Sequence, residues 1–280
     1  MRKRLFAATM ASAIVFGAIG ATTVFADETE RADHDFASMT DGTDQLGRIL
    51  EEGEIKIAME GTWEPWTYHD EEDALVGYDV EVGQAIADAL GVEADFIEGK
   101  WDGLFAGLDA GRYDMVINGV DVTEERAEKY DFSDPYAYIH TAIIVADEND
   151  AIHSFEDLKG VSTANTISSY YAILAEEYGA EVTGVDDLNQ TIELLLQGRI
   201  DATLNAEVTY SDYMREHPDA RIKIAVLSDD ANHVSIPFVK GDDSASLREA
   251  VNLIIADMKE SGQLAELSEK YFGTDMTQGE

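Results

Sequence analysis

The sequence predicts an α/β protein made of two similar lobes that two extended segments join. Short β-branched strands alternate with helical patterns, which is typical of parallel sheets covered by helices. This alternation occurs twice, and extended segments at residues 141–146 and 234–240 lie at the two changeovers. We therefore expect lobe 1 to comprise residues 46–138 and 237–275, and lobe 2 to comprise residues 139–236.

The predicted elements of lobe 1 begin with a short helix at residues 46–51, which Gly53 ends. The strand EIKIAM follows, and a turn-rich stretch then leads to GYDVEVGQAIADAL, where Val80, Ala85, Ile86 and Leu90 recur at helical spacing. The strand VEADFIE, the helix WDGLFAGLDAG and the strand YDMVING complete this set.

The predicted elements of lobe 2 repeat the alternation. In order they are the strand TAIIVAD, the helical turn SFEDLKG, the helix SSYYAILAEEYG, the strand EVTGV, the helix LNQTIELLLQG, and the strands RIDATLN and IKIAVL. Two helices, SLREAVNLIIADMKESG and QLAELSEKYFG, close the chain. Because open α/β sheets bind ligands at the carboxyl ends of their strands, the pattern predicts a ligand cleft between the lobes.

The N-terminus predicts export. Arg2, Lys3 and Arg4 precede an uncharged, mostly apolar run at residues 5–25, and a small residue, Ala26, suits a cleavage site. We therefore expect residues 1–26 to be a signal peptide and residues 27–45 to be an acidic flexible leader. An uncleaved anchor is the alternative, although glycine, alanine and threonine lower the hydrophobicity of the run. The expected location is periplasmic or secreted.

The composition excludes several classes of function. The chain contains no Cys, which removes disulfides, thiolate catalysis and a lipid-bearing cysteine anchor. A formal net charge of −39 repels nucleic acid and anionic membranes, so we expect neither as a partner. The six His residues lack metal-ligand spacing, and no phosphate loop or serine elbow occurs. We expect no metal and no cofactor.

Four stretches carry a resemblance to a known family: GTWEPWTYHDE, LVGYDVEVGQAIADALGV, WDGLFAGLDAGRYDMVINGVDVTEERAEKYDFSDPY and EKYFG. Over residues 54–273 the chain resembles the extracytoplasmic solute-binding proteins of polar amino acid ABC transporters, of the family 3 type. Residues 166–205 are most similar to members assigned to cystine or related amino acids. The resemblance implies a periplasmic-binding-protein-like type II fold and a monomer that captures an amino acid for a membrane permease.

The resemblance assigns the first ligand contacts to lobe 1. Arg126 begins the helix in TEERAEKY, where its planar fork can bind a ligand carboxylate with two hydrogen bonds. A surface ion pair with a neighbouring glutamate is the alternative. Trp63 and Trp101 occupy the positions of the aromatic and apolar walls around the ligand side chain. Trp66 is expected to belong to the core.

The strand ends of lobe 1 supply further candidates. Glu60 follows the first strand, where the family often has an acid that faces the ligand. Asn118, Gly119 and Asp121 form a strand-to-helix loop, in which glycine lets the backbone approach the ligand closely. Relatives usually have Thr or Ser at the position of Asp121. This acid would either bind the ligand ammonium or pair with Arg126.

In lobe 2, Ser168, Ser169 and Tyr170 open a helix, where free N–H groups and hydroxyls can bind an anion. Relatives usually carry an Asp for the α-ammonium at the position of Ala206. Asn205 or Glu207 could substitute for it, or Asp121 could have taken over the role. A ligand without an ordinary α-amino group is the remaining interpretation.

Two other classes of function stay open. A few relatives are dehydratases of cyclic acids, and that chemistry needs a buried general acid, for which Glu60, Asp121 and Glu207 are the candidates. The other class is a ligand sensor without transport. Such sensors usually belong to longer chains, whereas this chain ends soon after EKYFG.

Overall fold

The computed structural model describes residues 34–278, so the predicted signal peptide and the first part of the leader lie outside the described residues. Its helices are α1 Gln45–Glu52, α2 Tyr78–Leu90, α3 Trp101–Asp109, α4 Glu124–Lys129, α5 Tyr170–Glu177, α6 Leu188–Leu196, α7 Glu207–Glu216, α8 Asp242–Glu260 and α9 Gln263–Phe272. Its strands are β1 Glu54–Met59, β2 Tyr68–His69, β3 Leu75–Val76, β4 Glu93–Glu98, β5 Met115–Val116, β6 Tyr130–Phe132, β7 Ala137–Ile139, β8 Thr141–Ala146, β9 Ser162–Thr166, β10 Glu181–Val185, β11 Ala202–Ala206, β12 Ile222–Leu227, β13 Asn232–Val234 and β14 Pro237–Val239.

The first sheet is parallel, as the alternation predicts, with strand order β4-β1-β5. Helix α2 packs on it through Val82, Ile86 and Leu90, which are buried and recur every four residues along one face of the helix. Asp44 caps the start of α1 by accepting a hydrogen bond from Gly47 N. The sheet therefore lies against helices that the sequence pattern located correctly.

The second sheet has strand order β10-β9-β11-β8-β12 and is mixed rather than purely parallel. Strands β9, β10 and β11 are parallel, whereas β8 is antiparallel to both β11 and β12. The expectation of a parallel sheet was wrong for β8, because this strand continues directly from β7 and no crossover helix precedes it. Its side chains serve both faces: Ile143 and Val145 join one core cluster, and Ala142 and Ile144 join another.

Two short antiparallel ladders connect the regions of the two sheets. Strand β7 pairs with β13, and β6 pairs with β14. The extended segment expected at residues 141–146 is a strand of the second sheet, while the one expected at residues 234–240 is divided between β13 and β14. The chain segments that run side by side between the sheets are thus β7 and β13.

Three local features differ from the sequence pattern. Residues 34–45 were expected to be flexible, yet residues 36–39 form a 3₁₀ turn whose Phe36 packs into the main core. Helix α7 was not predicted, because its buried residues include the polar Thr209 and Asp212. The turn-rich stretch after β1 contains the β2–β3 hairpin. Among the described residues, no helix has the length and apolarity needed to cross a membrane.

Trp66 lies fully inside the core, as expected. Its ring stacks on Trp63 at 5.3 Å between centroids and contacts Phe272 of α9 at 4.8 Å. Its indole N–H donates to Thr209 Oγ1 in α7 at 3.1 Å. The side chain of Trp66 therefore connects the loop after β1 with helices α7 and α9.

Asp79 is a carboxylate without solvent exposure at the start of α2. It accepts hydrogen bonds from Gly119 N at 2.6 Å and from Tyr136 Oη at 2.8 Å. Burial raises the pKa of Asp79 from 3.8 to about 7, although the hydrogen bonds from Tyr136 and Gly119 act in the opposite direction. This residue ties α2 to the loop after β5 and to the start of β7.

We predict that Asp79→Asn changes how stability depends on pH. Because the pKa of Asp79 is raised in the folded state, the folded state binds more protons than the unfolded state between about pH 4 and about pH 7. Asp79 therefore contributes a loss of stability across this window as the pH rises, by at most about 1.4 kcal/mol per pH unit, and the variant lacks this contribution. Urea unfolding of both proteins at several pH values measures it. Parallel stability curves would contradict the assignment.

Candidate functional site

A cavity lies where the carboxyl ends of strands from both sheets meet. From the side of the first sheet it is lined by Glu60, Thr62, Trp63, Trp101, Gly119 and Asp121. From the side of the second sheet it is lined by Asn165, Thr166, Ser169, Tyr170, Tyr171, Asp187, Leu188, Thr191 and Asn205. Parallel strands of two sheets thus direct their following loops at one shared space, which is the arrangement expected of a ligand site.

Most of the residues that the sequence singled out line this cavity. They are Glu60, Trp63, Trp101, Gly119, Asp121, Ser169, Tyr170 and Asn205. Asn118, Arg126 and Ser168 do not line it.

Asn118 is fully buried behind Glu60. Its Nδ2 donates to Glu60 Oε2 at 2.9 Å, and its Oδ1 accepts from Glu60 N at 2.7 Å. These two hydrogen bonds hold the carboxylate of Glu60 toward the cavity. Asn118 therefore orients a cavity residue instead of lining the cavity itself.

Arg126 lies beside the cavity and is only 9% exposed. Its guanidinium donates to the carbonyl oxygens of Asp121 at 2.9 Å and Ser168 at 3.4 Å. It also lies 5.2 Å from the ring centroid of Trp101 and lines a neighbouring cavity that shares Trp101 and Asn165 with the first. Burial lowers the pKa of Arg126, and the Asp121 charge acts against this shift. The cation thus supports the wall of the cavity from behind.

Ser168 and Ser169 have separate tasks at the start of α5. Ser168 adopts a left-handed backbone conformation with φ of 63° and directs its carbonyl at Arg126. Ser169 is the N-cap, and its Oγ accepts from Ala172 N at 3.1 Å. Ser169 and Tyr170 therefore line the cavity, while Ser168 connects α5 to Arg126.

Gly119 lets the loop after β5 pass close to the aromatic wall. Its φ of 53° lies in the left-handed region, and an added Cβ would meet Trp63 Cζ3 at 2.7 Å. The same residue donates its N–H to Asp79. Glycine is thus required both by the backbone conformation and by the tryptophan beside it.

The charged groups that line the cavity are acidic: Glu60, Asp121 and Asp187. Burial raises the pKa of Glu60, while Asn118 lowers it and the charge of Asp187 raises it further. Burial raises the pKa of Asp121 to about 7, and the cationic Arg126 acts in the opposite direction. Within the described residues no lysine or arginine lines this cavity. Its lining therefore favours a ligand with a cationic group.

Sequence reasoning missed several lining residues of the second sheet. Asn165 and Thr166 end β9, and Asp187 is the N-cap of α6. The rule that ligands bind at strand ends applies to β9 and could have indicated the first two. Asp187, Leu188 and Thr191 are ordinary residues for a helix start, so their place at the cavity follows only from the tertiary structure.

The fold has two α/β lobes, and a polar cavity lies between the strand ends of these lobes. These two features place the protein in the class of two-lobed ligand-binding proteins. Residues 55–274 match the family of bacterial extracellular solute-binding proteins, family 3, and the chain belongs to this family. The resemblance and the two-lobed α/β fold class expected from the sequence are confirmed.

The chain is similar to proteins that are named for amino acids. The L-cystine-binding protein TcyA of Bacillus subtilis (strain 168) is 38% identical over 235 residues, which are 84% of this chain and 87% of that protein. An ancestral arginine-binding protein bound to arginine is 33% identical with a TM-score of 0.73, over 79% of this chain and 99% of that one. The L-cystine solute receptor of Neisseria gonorrhoeae, in an unliganded open conformation, is 37% identical with a TM-score of 0.58, over 83% and 99%.

We predict that Gly119→Ala destabilises the protein by about 1–3 kcal/mol, because the new methyl group overpacks Trp63 at a strained backbone position. Urea unfolding measures this effect. The matched control is Gly103→Ala in α3, where an added Cβ meets no neighbouring atom and the helix gains up to about 1 kcal/mol. Equal stability of the two variants would show that the loop does not need its close approach to Trp63.

Proposed function

We propose that this protein captures a small polar amino acid outside the cytoplasm and delivers it to the permease of an ABC transporter. The observation that carries the proposal is the cavity to which the strand ends of both sheets contribute. Its lining combines two tryptophan walls, Trp63 and Trp101, with hydroxyl, amide and carboxylate groups. Such a set suits a ligand that has an apolar stem and charged or polar ends.

Capture proceeds by closure of the two lobes. We assign residues 46–138 and 237–275 to lobe 1, residues 139–236 to lobe 2, and the hinge to β7 and β13. Contacts that cross between these lobes away from the β7–β13 ladder include Trp66 with Thr209, Arg126 with Ser168, and an ion pair of Lys100 with Asp186 at 3.1 Å. A ligand held by both sides stabilises this arrangement over an open one.

Two structural comparisons support a closed arrangement for this structure. The TM-score is 0.73 to the arginine-bound ancestral protein at 33% identity, but 0.58 to the open cystine receptor at 37% identity. The receptor with the greater sequence identity is the less similar in shape. A difference in lobe closure accounts for the lower TM-score at the higher sequence identity, because closure moves whole lobes without changing their folds.

The relatives support an amino acid that carries a second polar end. One is named for cystine and one structure contains arginine, and both of these amino acids have a charged end opposite their α-carbon: a second ammonium and carboxylate in cystine, and a guanidinium in arginine. The acidic cavity is compatible with either. Of the three acids considered for dehydratase chemistry, Glu207 does not line the cavity. Family membership and this lining favour binding over catalysis, and we propose that the protein is not an enzyme.

Family membership also supports a place outside the cytoplasm. We propose that the chain is exported with a signal peptide cleaved near Ala26 and then acts as a monomer. Its ligand and the membrane permease are its partners, and no cofactor is needed for capture.

We predict that one amino acid raises the unfolding midpoint of the mature chain from Asp27 in a screen of common amino acids, cystine and several dicarboxylates. Binding only to the native state raises the midpoint with the logarithm of ligand concentration. The shift should disappear in Arg126→Ala, since the guanidinium supports the cavity wall, and persist in Arg112→Ala, which removes an exposed arginine. A shift only with ligands that lack an amino group would contradict the ligand class, and no shift at all would contradict capture.

A further inference from the structure

The carboxylate of Asp121 is buried but incompletely paired. The residue is 4% exposed and lines the cavity, and its Oδ1 has no hydrogen-bond partner among residues 34–278. A buried carboxylate oxygen without a partner is costly, and such groups usually mark a place where a ligand or another polar group binds. Asp121 thus offers a free acceptor to whatever occupies the cavity.

Asn165 of the second sheet offers a similar acceptor at the same cavity. It is 3% exposed, and its Oδ1 also lacks a hydrogen-bond partner within the described residues. Its Nδ2 donates to Leu204 O at 2.7 Å and to Thr203 Oγ1 at 3.3 Å. Because these bonds hold the nitrogen, the amide oxygen is left as the acceptor.

The other candidates for a cation acceptor are less suitable. Ala206 has a methyl group where the resemblance implies an acid. Asn205 Oδ1 already accepts from Ala206 N at 2.9 Å, and Glu207 does not line the cavity. Of the three groups that could replace the missing acid, only Asp121 is an acidic residue that lines the cavity and has an oxygen without a hydrogen-bond partner among the described residues.

Arg126 does not neutralise Asp121 through a side-chain ion pair. Its guanidinium donates to the main-chain carbonyl of Asp121, and no salt bridge joins the two side chains in the described part of the chain. The alternative that Asp121 is consumed by pairing with Arg126 is therefore not realised. The carboxylate remains available to a ligand.

We propose that Asp121 of lobe 1 and Asn165 of lobe 2 together bind the ammonium group of the ligand. This proposal rests on the proposed function and deepens it, because it identifies the group that selects amino acids over deaminated acids. An ammonium has several N–H donors, so one group can bond to both oxygens at once. The cation then bridges the lobes, and an ammonium-bearing ligand favours the closed state.

The charge balance of the site supports this assignment. Burial raises the pKa of Asp121 to about 7 when the cavity holds no cation. An ammonium beside the carboxylate favours its ionised form. The ammonium group of the ligand thus takes the place of the water molecules that the carboxylate of Asp121 loses when the lobes close.

The experiment compares amino acids with their deaminated analogues by titration calorimetry at about pH 8, where Asp121 is mostly ionised. The pairs are L-cystine with dithiodipropionate and L-arginine with guanidinopentanoate. The proteins are wild type, Asp121→Asn and the matched control Asp102→Asn, which removes the same charge from an exposed position of lobe 1. Thermal unfolding verifies that each variant is folded.

We predict that wild type binds at least one of the two amino acids and prefers it to its analogue. Asp121→Asn should weaken amino acid binding by at least about 30-fold, since the ammonium loses a buried ionic partner, while binding of the analogue does not weaken. Asp102→Asn should keep the wild-type preference. Because a general packing defect would weaken both members of a pair, the loss of preference is specific to ammonium recognition.

The outcomes separate this proposal from the proposed function. If wild type binds an amino acid and Asp121→Asn keeps the full preference over the analogue, the proposal is wrong and capture stands. If wild type prefers the deaminated analogue, the site does not select an ammonium and the proposal is also wrong. If no amino acid binds in the screen of unfolding midpoints, both the ammonium site and the proposed function are wrong.

Discussion

The hydrogen bonds to the buried carboxylate of Asp79 hold together the parts of the molecule on which the site depends. Gly119 N, which donates to it, belongs to the loop that lines the cavity, and Tyr136 Oη donates from the segment before β7. A carboxylate in such surroundings is costly unless its acceptors are satisfied, so the two donors are constrained to stay in place. The loop after β5 and the entrance to the hinge are thus fixed to the same point of α2. The contacts across the cleft are therefore made from a part of the molecule that Asp79 holds in place.

The two lobes contribute different parts of the site, and neither contributes a complete one. Lobe 1 provides the tryptophan walls and the acids Glu60 and Asp121, and lobe 2 provides amides, hydroxyls and Asp187. In this structure, acids of both lobes line one cavity, and the buried acceptors of Asp121 and Asn165 lack hydrogen-bond donors among the described residues. We propose that the donors and the charge of the ligand remove the cost of burying these groups, and that closure therefore depends on the ligand. We propose that this acidic lining, rather than the net charge of −39 of the whole chain, selects a ligand with a cationic group.

Much of the fold could be predicted from the sequence because its local signals agree with its packing. Strand β1 and helix α2 coincide with the expected segments, and Gly53 ends α1 as expected. The direction of β8 could not be predicted, since hydrophobic alternation does not distinguish parallel from antiparallel strands. The segments that form the site could be predicted from the sequence, but the directions of their side chains could not. Asn118 lies in the expected loop and Arg126 in the expected helix, but packing directs one behind Glu60 and the other behind the cavity wall. Asn165 could have been indicated by its place at the end of β9, whereas Asp187 is an ordinary N-cap whose place at the cavity follows only from the tertiary structure.

Small-angle X-ray scattering of the mature chain with and without its amino acid measures the relative position of the lobes in solution and thus tests capture by closure. We expect a larger radius of gyration without ligand, and a decrease on saturation to the value calculated from this structure. Asp102→Asn should show the same decrease as wild type. An unchanged radius of gyration at saturating ligand would show that binding does not close the lobes, and would contradict capture by closure.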